Sequence, residues 1–233
     1  MKHASLLKFG GIASIAVGAL YLLVGLTHFL LPRAQLRGAG GITTAFFESL
    51  AQGSSIFMLH YWLVVALSLL TFAVIAAFFS LLREHRTGLL CWATTMGFFG
   101  AALTAIDFAW FAVEAPRLAR LYMSAAEASR PLLLMVGVPH IDPCFFSYGL
   151  AGVFALTVSS AALRHRLLPR ALGTIGVVGG VMLLLVFAGA LTHSPLLIDF
   201  AVGLGGLVVG PLWYIWTGFV LRNKGRAEEM AQL

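Results

Sequence analysis

Six apolar runs, each long enough to cross a lipid bilayer, account for most of this chain: residues 9–31, 56–82, 89–115, 143–163, 171–193 and 196–221. A hydrocarbon core about 30 Å thick needs about 20 helical residues, so every run qualifies as a span. Lipid offers no hydrogen-bond partner to a bare backbone, and none of the runs alternates apolar and polar residues. Helices are therefore expected rather than barrel strands. With 60% hydrophobic and 10% charged residues, and a mean hydropathy of +0.95, the chain lacks the polar surface of a soluble domain. The expected fold class is all-α: a polytopic integral membrane bundle of six transmembrane helices, forming one transmembrane domain over residues 1–233.

Lys and Arg outnumber Asp and Glu by 15 to 9. In a soluble chain that excess would suggest nucleic acid; here the positive-inside rule accounts for it, and no nucleic-acid partner is expected. With the N-terminus in the cytoplasm, Lys2, Lys8, Arg83, Arg86, Arg164, Arg166, Arg170, Arg222, Lys224 and Arg226 all face inward. Arg33, Arg37, Arg117, Arg120 and Arg130 face out. The bias puts both termini in the cytoplasm. Lys2 and Lys8 precede an apolar core that is too long for a signal peptide and has no clear small-x-small cleavage site, so the first run reads as a retained helix. Cys91 and Cys144 fall at opposite faces and cannot bond to each other within one subunit.

Spans two and three are loosely echoed by spans four and five. His60 is followed by the turn "REHR" (83–86), and His140 by "RHR" (164–166). Parallel repeats of this kind occur in membrane folds, although any short cytoplasmic turn attracts arginine. The two long loops lie outside. "ITTAFFESLAQ" (42–52) reads as a short interfacial helix with Phe46, Phe47 and Leu50 toward lipid or protein. "PLLLMVGVP" (131–139) is too short to span and reads as a surface segment or a lid. Gly176 with Gly180, and Gly206 with Gly210, are spaced for close helix approach rather than for a nucleotide loop, which leaves a homo-oligomer open.

Two phrases, "GLTHFLLP" (25–32) and "GALTHSP" (189–195), each close an outward-running span with Leu-Thr-His. Sorted by depth, His28, Glu48, His60, Asp107, Glu114, His140, Asp142, His193 and Asp199 all belong to the outer side, and the inner halves of the spans carry no ionisable group. Asp107 and Glu114 are two helical turns apart and share a face with Trp110 and Phe111. Each residue also has a plainer reading. His28, His193 and Asp199 suit interfacial positions, with Asp199 favourably placed in a first helical turn. Asp142 before Pro143 resembles a helix cap. Together they predict an outward-facing polar pocket, because polar groups turn away from lipid. Trp62, Phe108, Trp110, Phe111, Phe146 and Tyr148 are the expected substrate-binding wall, and an aromatic belt is the plainer reading of them.

Three function classes follow. The first is an intramembrane acid–base enzyme for a lipophilic small molecule, catalysing an isoprenoid-type cyclisation or isomerisation. Asp107, Glu114 and Asp199 would be its acids, and His28, His60 and His193 its base, orienter or relay. The second is a small transporter or lipid-binding protein, disfavoured for proton coupling by the empty inner half. The third is haem or metal binding by His28, His60, His140 and His193, although no HxxH, HxxxH or ExxH spacing is present.

The segment "LRHRLLPRALGTIGVVGGVMLL" (163–184), with its basic turn, Pro169-Arg170 and glycine-rich helix, resembles part of a family of bacterial six-helix membrane proteins grouped as a domain of unknown function. The resemblance implies the architecture alone; the expected location is the bacterial inner membrane, as a multi-pass protein. In size and in having acids near outer helix ends, the chain also resembles small integral membrane terpene cyclases, from which no residue role is carried over. No bound cofactor is expected from the sequence, and the partners it implies are the bilayer and a lipophilic small molecule.

Overall fold

A computed structural model describes residues 2–36 and 42–231. Arg37, expected on the outer side, lies outside the described residues. In chain order the helices are α1 (Lys2–Leu30), α2 (Thr44–Gln52), α3 (Ser55–Leu81), α4 (Gly88–Ser124), α5 (Arg130–Val136), α6 (Phe146–Arg164), α7 (Arg170–Leu191), α8 (Pro195–Leu204) and α9 (Gly210–Met230). A π-helical turn over Gly205–Val209 joins α8 to α9, and the two act as one interrupted span. The described residues contain no strand. Six segments are long and apolar enough to cross a membrane, so the chain is a polytopic helical membrane protein.

Local chemistry sets the ends. Thr87 accepts a hydrogen bond from Leu90 N–H at the start of α4, and Thr43 accepts one from Phe46 N–H at the start of α2. Pro195 opens α8, where its missing N–H costs nothing. The third span, expected to end at Ala115, continues through Pro116 to Ser124. Proline removes one helical hydrogen bond, yet Pro116 is buried with Ala112, Ala115 and Ala119 beneath the aromatic face of α2, and that packing holds the helix together. At about 1.5 Å per residue α4 is about 55 Å long and projects well beyond the hydrocarbon. The last span likewise runs past Leu221 to Met230.

Each span packs against the next in sequence, and α1 closes the bundle against both α3 and α9. Lipid tails are as apolar as leucine, so close backbone approach and interhelical polar contacts do the holding. Gly152 and Gly180 show this: a Cβ on Gly180 would lie 2.7 Å from Leu156 N, and one on Gly152 would lie 2.9 Å from Gly180 O. Gly176 is just as close to α6 and α9, Gly210 abuts the Tyr21 ring, and Gly206 faces open space.

Two apolar clusters fill the interior. Toward the chain termini, the Phe78 ring stacks on Trp213 at 5.5 Å and 8°, flanked by Val17, Phe154, Val158 and Leu172. At the opposite end, Phe46, Phe47 and Leu50 of α2 are buried against Phe57 and Tyr61 of α3 and Phe111 and Tyr122 of α4. Helix α2 thus faces protein. In α5, Leu132, Met135 and Val136 point outward, with Met135 85% exposed, while Val138 just beyond the helix is buried.

Candidate functional site

Asp107 lies about 28 Å along α4 from its start and is 2% exposed. Its Oδ1 accepts hydrogen bonds from the N–H groups of Ile141 at 2.8 Å and Asp142 at 3.2 Å. This bends the loop ahead of α6 over the helix and sets His140 Nδ1 3.6 Å from the same oxygen, in ion-pair range. The His140 ring stacks on Phe111 at 4.8 Å and 15°. Trp110 donates from Nε1 to Pro139 O at 3.1 Å and pins the other side of the loop.

The loop holds itself in place through Asp142, whose two carboxylate oxygens accept from Phe146 N–H at 2.7 Å and Ser147 N–H at 2.8 Å. The sequence places Asp142 as the residue next to the helix with Pro143 as its first residue. Instead the chain makes a further turn, passes through Phe145 at φ 52° and starts the helix at Phe146. Asp142 still caps α6, but from the loop, so both of its oxygens can reach helix donors.

A second polar group lies nearby. Thr27 Oγ1 is 2.9 Å from His60 Nδ1 and 3.0 Å from the carbonyls of Leu23 and Val24. The pattern is satisfied throughout when the hydroxyl donates to a helix carbonyl and His60 Nδ1–H donates to Oγ1, which leaves His60 Nε2 with a free lone pair. The His28 ring lies 5.9 Å from that of His60. Tyr61 continues the row, contacting His60 at 5.4 Å, Phe108 at 5.4 Å and Phe111 at 5.1 Å. A continuous aromatic wall therefore joins His28 and His60 to His140 and Asp107.

The other residues singled out in the sequence stand apart. Glu114 is held by Arg117 through Nη2 at 2.8 Å and Nε at 2.9 Å. His193 and Asp199 are exposed, and their side chains make no hydrogen bond, ion pair or ring contact with another described residue. The two Leu-Thr-His phrases thus differ: Thr27 bonds a histidine, whereas Thr192 bonds back to Ala188 O and ends α7. Among the aromatics, Phe111 is fully buried, Phe108 is half-buried, and Trp62, Trp110 and Phe146 are exposed. Phe146 packs edge-on to Phe187, and half-buried Tyr148 edge-on to Phe145. Among the described residues no three His, Cys, Asp or Glu side chains converge on a metal position.

Beneath Asp107, an apolar groove of about 540 Å³ opens between α4 and α6, walled by Met96, Phe99, Leu103, Ile106, Phe146 and Leu150. Gly100 packs against the Ser147–Ala151 backbone and brings the two helices together behind it. Sequence reasoning missed two members of this constellation, Thr27 and Tyr61, and named His140 only as an outer-side ionisable group and a candidate haem or metal ligand. Thr27 was visible in its motif, but its bond to His60 depends on α1 meeting α3. Tyr61 carries no local signal, and the partners of His140, Asp107 and Phe111, come from α4.

Six spans, a buried carboxylate beside an imidazole and an aromatic wall define a polytopic membrane protein with a polar site at the end away from the chain termini. The chain belongs to the DUF4386 family, a domain of unknown function, whose pattern matches residues 16–219. No curated protein and no solved structure matches it, so the likeness to terpene cyclases gains no support.

Proposed function

We propose that the chain is an intramembrane acid–base enzyme acting on a lipophilic small molecule, with Asp107 and His140 at its centre. The supporting observation is Asp107 itself: a buried carboxylate, bonded by two backbone N–H groups and 3.6 Å from an imidazole. Ionisable groups inside a span are costly and usually serve function. His140 moves the proton, and Asp107 orients the ring and balances the charge it gains. His60, with its free Nε2, is the second proton-transfer group, and His28 extends the relay. Glu114, His193 and Asp199 have no part in this reading, since one is held by Arg117 and two face outward.

The groove between α4 and α6 supplies the entry route from the bilayer. Its apolar lining suits an isoprenoid-type chain, the kind of substrate a cyclisation or isomerisation would take. By the positive-inside rule the termini face the cytoplasm of a bacterial inner membrane, and the site opens to the extracytoplasmic side.

The test compares extracted membrane lipids from cells expressing wild type, Asp107→Asn, His140→Gln or no protein. The expected result is a lipid species converted by wild type and left unconverted in both variants. Identical lipid profiles in all four would overturn the reading. A second reading, transport, rests on the interrupted sixth span. Gly210, just after the π-turn, sits against Tyr21, and Pro211, lacking an N–H, leaves a carbonyl of the preceding turn without its helical donor. It is favoured if the lipids match but wild type carries a bound molecule that Asp107→Asn has lost.

A further inference from the structure

At the end of the bundle that carries the chain termini, two histidines meet from separate turns. His85 belongs to the 3₁₀ turn Arg83–His85 between α3 and α4, and His165 follows the last residue of α6. Their rings lie face to face, 3.7 Å apart and inclined by 6°. Parallel rings direct their nitrogen lone pairs side by side, so the pair cannot converge on one metal ion. It can stack when at least one ring is neutral. Two imidazolium rings at that separation repel each other.

We propose that His85 and His165 form a proton-operated clasp: stacked, they tie the α3–α4 hairpin to the α6–α7 hairpin, and protonation of both rings releases it.

The surrounding charges favour release. On the first turn, Arg83 pairs with Glu84 at 3.6 Å, and the Arg86 guanidinium lies 4.0 Å over the Phe79 ring. On the second, Arg164 and Arg166 flank His165, and Arg170 begins α7. From α1 and α9, His3 pairs with Glu228 at 3.2 Å, and Lys224 lines the same cleft. Both carboxylates are therefore engaged, and the remaining groups add positive charge. His165 is already held below the ordinary histidine value, by desolvation first and then by His85 and Arg164. The α6–α7 turn passes through Arg166 at φ 54°, a left-handed helix cap closed by Arg166 N–H to Leu163 O at 3.1 Å and Leu167 N–H to Ala162 O at 2.9 Å. Release would widen the cleft of about 280 Å³ between the α3–α4 turn and the ends of α1 and α9.

The test is hydrogen–deuterium exchange of the full chain in lipid nanodiscs, at about pH 7.5 and about pH 5 and corrected for intrinsic exchange, a range that brackets histidine titration. In the wild type, amides of residues 82–88 and 164–169 should lose about tenfold or more of their protection at the lower pH. With His85→Phe and His165→Phe together, an uncharged stack remains and protection should be the same at both pH values. If that double variant does not fold, His165→Phe alone, which leaves at most one charge in the stack, should show the same insensitivity. Equal protection of the wild type at both pH values, or an equal loss in the phenylalanine variant, would refute the clasp.

Discussion

Asp107 and Ile141, 34 positions apart, are joined by a 2.8 Å hydrogen bond from the Ile141 N–H to Oδ1 of the carboxylate. That bond makes Asp107 a clamp as well as a candidate for proton chemistry, because it carries the loop that delivers His140. The two roles can be separated. Asparagine keeps an oxygen able to accept both N–H groups, while the charge is lost and the second oxygen becomes an NH2 donor. Asp107→Asn should therefore stay close to wild type in thermal stability in detergent. Asp107→Ala should lose about 1–3 kcal/mol for each stranded N–H. Equal melting temperatures for the Ala and wild-type proteins would show that the clamp contributes nothing.

Asp142 caps α6 with both oxygens, a role independent of any chemistry at Asp107. Asp142→Ala should cost about 0.5–2 kcal/mol, the range for loss of a helix cap. Hydrogen exchange should speed up first at Phe146 and Ser147, and Asp142→Asn, which keeps one acceptor, should fall between the two.

Gly180 and Gly203 are both helical glycines, yet opposite effects are expected on replacing them with alanine. A Cβ at Gly180 meets the Leu156 backbone at 2.7 Å, which cannot give way without separating α6 from α7, so Gly180→Ala should destabilise the bundle. Nothing lies within 4 Å of a Cβ at Gly203, so the helix preference for alanine should raise stability by up to about 1 kcal/mol. Thermal unfolding of the two variants side by side decides the matter.

Thr27→Val keeps the side-chain shape and removes the oxygen that His60 Nδ1 contacts at 2.9 Å. The loss of that hydrogen bond should cost about 0.5–1.5 kcal/mol. Nitrogen NMR shifts of the His60 ring should show the Nδ1–H tautomer in the wild type and a mixture in the variant. An unchanged tautomer would mean that Thr27 does not set it.

His165 binds its proton less tightly in the folded chain than in the unfolded chain. A base with a depressed folded value destabilises the fold when it is protonated, so its effect is absent above the ordinary value of 6.5 and grows as the pH falls below it. Chemical denaturation from neutral to acidic pH should show falling stability, with a shallower fall for His165→Phe. A steeper fall would reverse the assigned sign.

The six spans were legible because hydropathy sums over about 20 residues, and no single side chain can overturn such a sum. The buried face of α2 was equally legible from Phe46, Phe47 and Leu50, although the pattern left open whether lipid or protein covered it. The continuation of α4 through Pro116 was not, because the apolar run stops at Ala115 and the helix beyond it packs against α2. The candidate site was partly visible: Asp107 and His60 stood out as ionisable groups in apolar runs. His140 was named as well, but its pairing with Asp107 was not, and Thr27 and Tyr61 are ordinary residues until α1, α3, α4 and the loop before α6 are brought together.

By itself, the order of apolar and charged residues determined that this chain crosses a membrane six times as helices, because lipid makes the backbone satisfy its own hydrogen bonds and long runs without alternation suit helices rather than a barrel. Tertiary structure alone decided which polar groups meet: Asp107 with His140, His60 with Thr27, His85 with His165, and His193 and Asp199 with none of them. A hydrogen bond or a ring stack needs atoms placed within about an ångström, and that placement comes from how separate helices and loops pack, which no local stretch of sequence encodes.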